Sequence, residues 1–414
     1  MQRVVVVGAS VAGLRAVESL RRNGFAGEIL VIGGERWPPY NRPPLSKTVL
    51  TATELPGFDE IALPLSPRIG DVQWRLGVRA AALDVDARVV VLEDGQTVEW
   101  DGLVIATGLR PVRLAVPGPT VRRYVLRNFD DARALRDVLQ PGARLVVIGA
   151  GFIGCEVASA ARERGVHVVV VGRSEYPLPG LGDILGSELR RLHETHGVRF
   201  LGARAVVAFE GTDHVRGVVL DDGTELAADI VVEAIGGAPE TDWLVTTKLD
   251  IHNGVRCDGM LRALDISGQP IPNVVACGDV ARVPLLRGAG IEGRVEHWSM
   301  AIETGRYAGR TLAASLSGAA AGAPSVPMVP TFWSDQYGVR LSGVGLPEMH
   351  DGEIRVRHDS AAGEVAISYF RAGRLIGIAA LGCAARLPEF YDAVRRSWQD
   401  EGHPVSTVTR SSPR

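Results

Sequence analysis

Lysine is almost missing from this sequence. Of its 45 basic residues only Lys47 and Lys248 are lysines, which leaves 45 − 2 = 43 arginines. A position that stays Lys under such a bias points to a need for a compact ammonium, and this singles out Lys47. Cysteine is scarce too, with four, at Cys155, Cys257, Cys277 and Cys383. No two of them stand in a C-x-x-C or C-x4-C spacing, which disfavours a disulfide framework, a zinc ribbon and a local redox dithiol. A basic excess is lacking as well. Acidic residues number 48 against 45 basic, for a net charge of −3, so no nucleic-acid partner is expected. No apolar run reaches the length of about 18 residues that a membrane span requires. No charged leader and cleavage site precede the apolar run 4–7, and a cytoplasmic protein is expected. The histidines are scattered, and His193 and His196 read as a solvated helix face in preference to a metal site.

What is present is an ordinary globular composition, 46% hydrophobic and 22% charged over 414 residues, enough for two to four domains. The same supersecondary pattern occurs twice. A β-branched run at 3–7 leads into GASVAG (8–13), an amphipathic stretch at 14–22 and a second strand at 28–32. Later a strand at 144–148 leads into GAGFIG (149–154), a helix at about 153–165 and a strand at 167–171. Each is a βαβ unit with a Gly-rich first turn. Such units build a parallel sheet and bind a dinucleotide pyrophosphate where the helix N-terminus offers free N–H groups. The second copy is complete, and the first has Ser10 at its middle position. Two copies in one chain imply two dinucleotides.

Hairpins are expected around Glu93-Asp94-Gly95 and Asp221-Asp222-Gly223. Strands are expected at 102–106, 229–235 and 273–277, and a helix from near Glu296 to about 316. The small-residue run 317–324 reads as a linker. Strand-like alternation follows over 326–385, then a helix at about 387–400 and a frayed tail of ten residues.

Seven motifs carry a family resemblance over essentially the whole chain: GASVAG (8–13), YNRPPLSK (40–47), ATGLRP (106–111), GAGFIGCE (149–156), ACGDVA (276–281), VEHW (295–298) and FWSDQYG (332–338). In these the chain resembles the FAD-dependent ferredoxin reductases of oxygenase systems. The resemblance implies an α/β fold with two Rossmann-like dinucleotide-binding domains plus a C-terminal α+β domain, of the glutathione-reductase type. A discontinuous FAD domain would take 1–113 and 244–322, an NAD(P)H domain 114–243 and the C-terminal domain 323–414.

The resemblance also implies roles for particular residues. Gly8, Ala12 and Gly13 would face the FAD pyrophosphate. Glu35 would accept hydrogen bonds from the adenosine ribose; a solvated loop acid is the alternative. Arg42 and Lys47 would lie near the flavin and phosphates, with Ala106, Thr107, Gly108, Arg127 and His297 also touching FAD. Asp279 would bind the ribityl chain, and Trp298 would lie beside the pyrimidine end of the flavin at a helix start. NAD(P)H would rest on Gly149, Gly151, Phe152, Ile153 and Gly154, with Gly236 nearby. Glu156 would sit beside Lys47 at the flavin N5 edge and hold or relay a proton there; the alternative is an acid that only complements its helix dipole. Trp333 would lie beside the flavin near nicotinamide entry, or be a core Trp.

NAD-preferring relatives carry an acid just past the second strand of the NAD(P)H unit, where this chain has Gly172, Arg173 and Ser174. That run predicts NADPH preference, unless Arg173 is merely solvated. The implied reaction is hydride transfer from NADPH or NADH to FAD, followed by single-electron delivery to a [2Fe–2S] ferredoxin. The ferredoxin would in turn feed a haem monooxygenase or ring-hydroxylating oxygenase. Arg287, Arg294 and Arg340 lie in the sequence neighbourhood expected to steer an acidic ferredoxin. Two other classes remain open on the residues: a stand-alone flavoenzyme reducing a quinone, an organic radical or O2, and a non-catalytic flavoprotein like apoptosis-inducing factor.

Overall fold

The computed structural model describes residues 1–286, 291–319, 328–359 and 364–399. Arg287, most of the 317–324 run and the last ten residues lie outside the described residues. Within them the chain forms two compact units. The first draws on Met1–Pro44, Glu54–Pro111 and Gly237–Met328, the second on Leu45–Thr53, Val112–Gly236 and the chain from Val329 onward.

The first unit is built on a six-stranded sheet. Its strands in spatial order are Arg262–Leu264, Pro270–Ala276, Gly102–Ile105, Arg3–Val7, Glu28–Gly33 and Val72–Leu76. All neighbours run parallel except at the Arg262–Leu264 edge. Val5 pairs with Leu30 on one side and Leu103 on the other, and Val4, Val5 and Val6 are fully buried. A strand covered on both faces needs such an unbroken apolar run, which is why the sequence reads β-branched without alternation there.

The helix Val11–Arg22 leaves this sheet and packs along the helix Trp298–Ser317. The contact is close because Trp298–Ser317 turns glycines toward its neighbour. A β-carbon at Gly305 would lie 2.4 Å from the Ala12 carbonyl oxygen, and one at Gly309 would lie 2.3 Å from that of Ala16. The long helix begins at Trp298 and not near Glu296, because His297 is still extended (φ −110°, ψ 142°) and serves as its N-cap.

The second unit repeats the plan. Its parallel sheet has the order Arg199–Leu201, His167–Val171, Arg144–Ile148, Ile230–Glu233 and Arg123–Tyr124. Again the strand that precedes the Gly-rich turn is central. The short segment Leu45–Thr53 belongs to this unit. Leu50 is fully buried among Leu135, Leu139, Val157 and Ala161, while Arg136 donates to the Ala52 and Thr53 carbonyls and Arg164 to that of Leu50. The C-terminal part is a five-stranded antiparallel sheet in the order Thr331–Gln336, Val339–Gly345, Arg374–Leu381, Glu364–Arg371 and Glu353–Asp359, with the helix Leu387–Gln399 packed against it. The expected hairpins are present at Val89–Leu92 with Thr97–Glu99 and at Gly217–Leu220 with Glu225–Ala227. The α/β class with two Rossmann-like sheets and a C-terminal α+β part is thus realised.

The helix contact at Gly309 gives a direct test. Gly309→Val forces a side chain onto the Ala16 carbonyl and is expected to destabilise the protein by about 3 kcal/mol. Denaturant unfolding of both proteins measures it, and an unchanged midpoint would mean that the two helices separate without cost.

Candidate active site

Both Gly-rich turns have the geometry of an anion cradle. Gly8 and Gly149 adopt φ of +123° and +102°. β-Carbons there would lie 2.0 Å from the Ala106 oxygen and 2.2 Å from the Ala234 oxygen, so only glycine lets each turn pass so close to the neighbouring strand. Gly13 and Gly154 bring each helix onto its own turn, with the Gly8 and Gly149 oxygens 2.0 Å from where a β-carbon would be. Neither Ser10 nor Gly151 caps its helix with a side chain. The first N–H groups of two twelve-residue helices therefore remain available to a pyrophosphate. Ala12 and Gly13 are buried in the first turn of one. Gly151 on the other has open space where a β-carbon would be, and Ile153 is 41% exposed. The residues present fit two dinucleotides.

Around the first cradle, Glu35 does not stand in solvent. Its carboxylate accepts from Tyr40 at 2.6 Å and from Arg42 at 2.5 Å, and Arg42 also donates to Ser10 at 3.3 Å. The ribose-binding and phosphate-binding candidates are thus tied to one another in one network. Ala106 donates its N–H to Val7, Thr107 donates to the Glu240 carbonyl, and Gly108 turns with φ +69°. Asp279 follows Gly278, whose N–H is held by Thr304 at 2.9 Å. His297 and Trp298 begin the long helix, and burial pushes the His297 imidazole down to about 4 despite the carboxylate of Asp279.

In the second unit, Lys47 Nζ lies 2.7 Å from Glu156 Oε2, and the Glu156 side chain is only 3% exposed. Ser46 also donates to Oε2, and Ser334 donates to Oε1 at 2.7 Å. A buried carboxylate keeps its charge only when paired and fully hydrogen-bonded, and Glu156 has three donors. One of them, Ser334, follows from strand geometry. Along Thr331–Gln336 alternate residues Phe332, Ser334 and Gln336 are buried, while Trp333 and Asp335 on the other face are half-buried. Trp333 is therefore no core residue of that inner face. Phe332 meets Phe152 edge-on, with ring centroids 5.6 Å apart. Arg127 lies just before the helix Phe129–Val138, its N–H held by Asp131.

Beyond Val171, Arg173 is exposed and Ser174 half-buried. The first acid downstream, Glu175, is held by Arg190 at 2.7 Å. Gly236 turns with φ +102° at the end of the sheet.

Two readings of the sequence need correction. His193 does not lie on a solvated face. It is 1% exposed and hydrogen-bonded through both ring nitrogens, to Gln336 at 2.9 Å and Tyr337 at 3.0 Å; the helix Gly182–Thr195 buries it because its amphipathic face turns inward. Arg294 is not an exposed charge, whereas Arg340 is, with a side chain 51% exposed. Arg340 is clasped by Asp335 at 2.7 Å, and the Arg294 side chain, 10% exposed, pairs with Glu296 at 2.8 Å. Sequence reading also missed Ser46, Ser334 and Gln336. The inward alternation of FWSDQYG carried a signal for the last two, whereas nothing local marked His193.

All four cysteines are buried. Burial pushes the Cys155 and Cys277 thiols up to about 12, so neither is a thiolate at neutral pH.

Fold and site together define an oxidoreductase with two dinucleotide cradles, working with FAD and NAD(P)H. Residues 2–305 match the pyridine nucleotide-disulphide oxidoreductase model and residues 331–405 the reductase C-terminal model. The chain belongs to the pyridine nucleotide-disulphide oxidoreductase family. It is 35% identical to rhodocoxin reductase of Rhodococcus erythropolis, over 91% of this chain and 85% of that one. It is 34% identical to the ferredoxin--NAD(+) reductase component of the biphenyl dioxygenase system of Paraburkholderia xenovorans, over 87% and 85%. Among solved structures, the covalent putidaredoxin reductase–putidaredoxin complex matches with a TM-score of 0.85 at 29% identity, covering 96% of this chain and 93% of that one.

Burial of His193 makes stability pH-dependent. Desolvation pushes its imidazole from 6.5 down to about 4, with His196 adding to the effect and the Gln336 hydrogen bond opposing it. Between those values the unfolded chain takes up a proton that the folded chain refuses, so this contribution is present above about pH 6.5 and is lost as pH falls toward 4. From pH 7.5 to 5, wild type should lose on the order of 2 kcal/mol more than His193→Gln. Chemical denaturation at the two pH values checks it, and equal losses would remove His193 as the cause.

Proposed function

We propose that this chain is the reductase component of an oxygenase system, taking electrons from NAD(P)H and passing them singly to a [2Fe–2S] ferredoxin. The ferredoxin in turn feeds a haem monooxygenase or a ring-hydroxylating oxygenase. The observation that carries this reading is the extent of the likeness: both the dinucleotide-binding part and the C-terminal module are matched, at 31–35% identity, by reductases named for such systems. The buried thiols of Cys155 and Cys277, both pushed up to about 12, support it against disulfide reduction by the same fold. They also suit a reducing compartment, and we place the protein in the cytoplasm. We read three domains: 1–113 with 244–322 for FAD, 114–243 for NAD(P)H, and 323–414. The gap between the two family matches, 305 to 331, supports the last boundary.

Bound FAD supplies the conversion from a two-electron donor to a one-electron acceptor. The protein's part is to bind, orient and hold protons. Ala12 and Gly13 would present N–H groups to one pyrophosphate, and Gly151 and Gly154 to the other, while Gly8 and Gly149, whose N–H groups donate to Ile32 and Val171, shape the two turns. The ammonium of Lys47, fixed by Glu156, holds a proton at Nζ for the flavin N5 edge. Trp333, half-buried on the outer face of its strand, orders the nicotinamide side.

Cytochrome c reduction with NAD(P)H, with and without added ferredoxins, tests this function. Strong dependence on a ferredoxin is expected. Fast turnover with a quinone alone would replace the reading by that of a stand-alone flavoenzyme, and turnover with neither would favour a non-catalytic role.

We further propose NADPH preference. Gly172 offers no carboxylate to repel a 2′-phosphate, Arg173 is exposed, and Glu175 is engaged by Arg190. The expected result is a higher kcat/KM for NADPH, lost by about tenfold in Arg173→Ala while NADH is spared. A wild type that prefers NADH by about tenfold overturns this.

A further inference from the structure

His193 is a buried titratable group that the proposed reaction does not use, yet it stands at the end of a continuous hydrogen-bond chain to Glu156. From the far end, Tyr337 lies 3.0 Å from His193 Nδ1, and His193 Nε2 lies 2.9 Å from Gln336 Oε1. Gln336 Nε2 then donates to Ser334 at 3.0 Å, and Ser334 donates to Glu156 Oε1 at 2.7 Å. Every member except Tyr337 is buried. His196 stacks on the Tyr337 ring at 4.0 Å, and the Tyr337 backbone N–H is held by Ser159 at 2.9 Å.

The donor and acceptor inventory gives this chain a direction. Glu156, already receiving Lys47 and Ser46, can only accept while ionised. Ser334 must therefore spend its one proton on the carboxylate and accept from Gln336. Gln336 then presents its NH2 to Ser334 and its oxygen to His193. That oxygen needs a donor, so His193 carries its proton on Nε2, and its bare Nδ1 takes the Tyr337 hydroxyl proton. Burial keeps the ring neutral at physiological pH, with one proton to place.

The opposite polarity is also self-consistent: a protonated Glu156, a reversed Gln336 and a His193 proton on Nδ1. The end of a glutamine side chain has a broad, two-fold torsional preference, so Gln336 has no intrinsic reason to choose. Its neighbours decide. The chain is no proton conduit, because an amide passes a proton only through its imidic acid form. It is an orienting device.

We propose that His193 is a positioning residue for Glu156: its Nε2–H fixes Gln336, and through Gln336 and Ser334 it fixes a donor on the carboxylate that holds Lys47. This rests on the reading of Lys47 and Glu156 as acting in flavin reduction. A histidine that merely fills the core would also be buried and satisfied, but it would not act through Glu156.

Two measurements separate these. In holoenzyme with 15N-labelled histidine, one imidazole absent from His193→Gln should stay neutral from about pH 6 to pH 8 as the Nε2–H tautomer. An Nδ1–H tautomer overturns the proposal, and this measurement on wild type does not depend on how any variant folds. In stopped-flow reduction by NAD(P)H, His193→Leu with its FAD retained should be about three- to tenfold slower. His193→Gln, which can still donate an N–H to Gln336, should recover most of the rate. In a Glu156→Gln background the same leucine substitution should change the rate by less than about twofold. An equal penalty in both backgrounds, or no penalty in wild type while Glu156→Gln is slow, overturns the role of His193 alone. A Glu156→Gln enzyme at wild-type rate instead removes the reading of Glu156, and the inference with it.

Discussion

The carboxylate of Glu156 is the constraint on which the second unit's architecture turns. A charge that is 3% exposed must be matched by donors from the fold itself, since the cost of leaving it unpaired exceeds what most single contacts return. The donors come from far apart in the chain. Ser46 and Lys47 arrive on a segment lodged against the helices of this unit by Leu50, Arg136 and Arg164. Ser334 arrives on the first strand of the C-terminal sheet. One buried acid thus requires three distant pieces of backbone to meet.

The two Gly-rich cradles obey a different constraint, a steric one. In each, a carbonyl oxygen occupies the place that a β-carbon would need, at nearly the same distances in both copies. The substitution of Ser10 for the usual middle glycine is tolerated because the strict approaches fall on Gly8 and Gly13, while Ser10 accepts a hydrogen bond from Arg42. Gly151, its counterpart, has open space where a β-carbon would lie. The two cradles are therefore equal in backbone shape and different in polar lining.

Charged side chains were the least legible part of the sequence. Glu35 and Arg42 each read as a separate contact, yet they form an ion pair. Arg294 reads as a surface charge, yet its side chain is 10% exposed and pairs with Glu296. A long side chain chooses its partner after the backbone is placed, so spacing along the chain carries little information about it. Apolar periodicity behaves differently, because a strand or helix face must be apolar wherever it packs. That is why both βαβ units, both hairpins and the alternating C-terminal strands could be read directly.

By itself the sequence determined the two dinucleotide-binding units, the class of fold, the want of a closely spaced cysteine pair and the singularity of Lys47, because each rests on local pattern or on counts. Tertiary structure alone decided that Ser46 and Ser334 join Lys47 on Glu156, and that His193 is buried instead of solvated. It also decided that Gln336 joins His193 to Ser334. Ser46 and Glu156 lie 110 residues apart in the chain, His193 and Gln336 143, and Ser334 and Glu156 178. Hydrogen bonds at that separation are set by how whole sheets and helices pack, which no short stretch of sequence records.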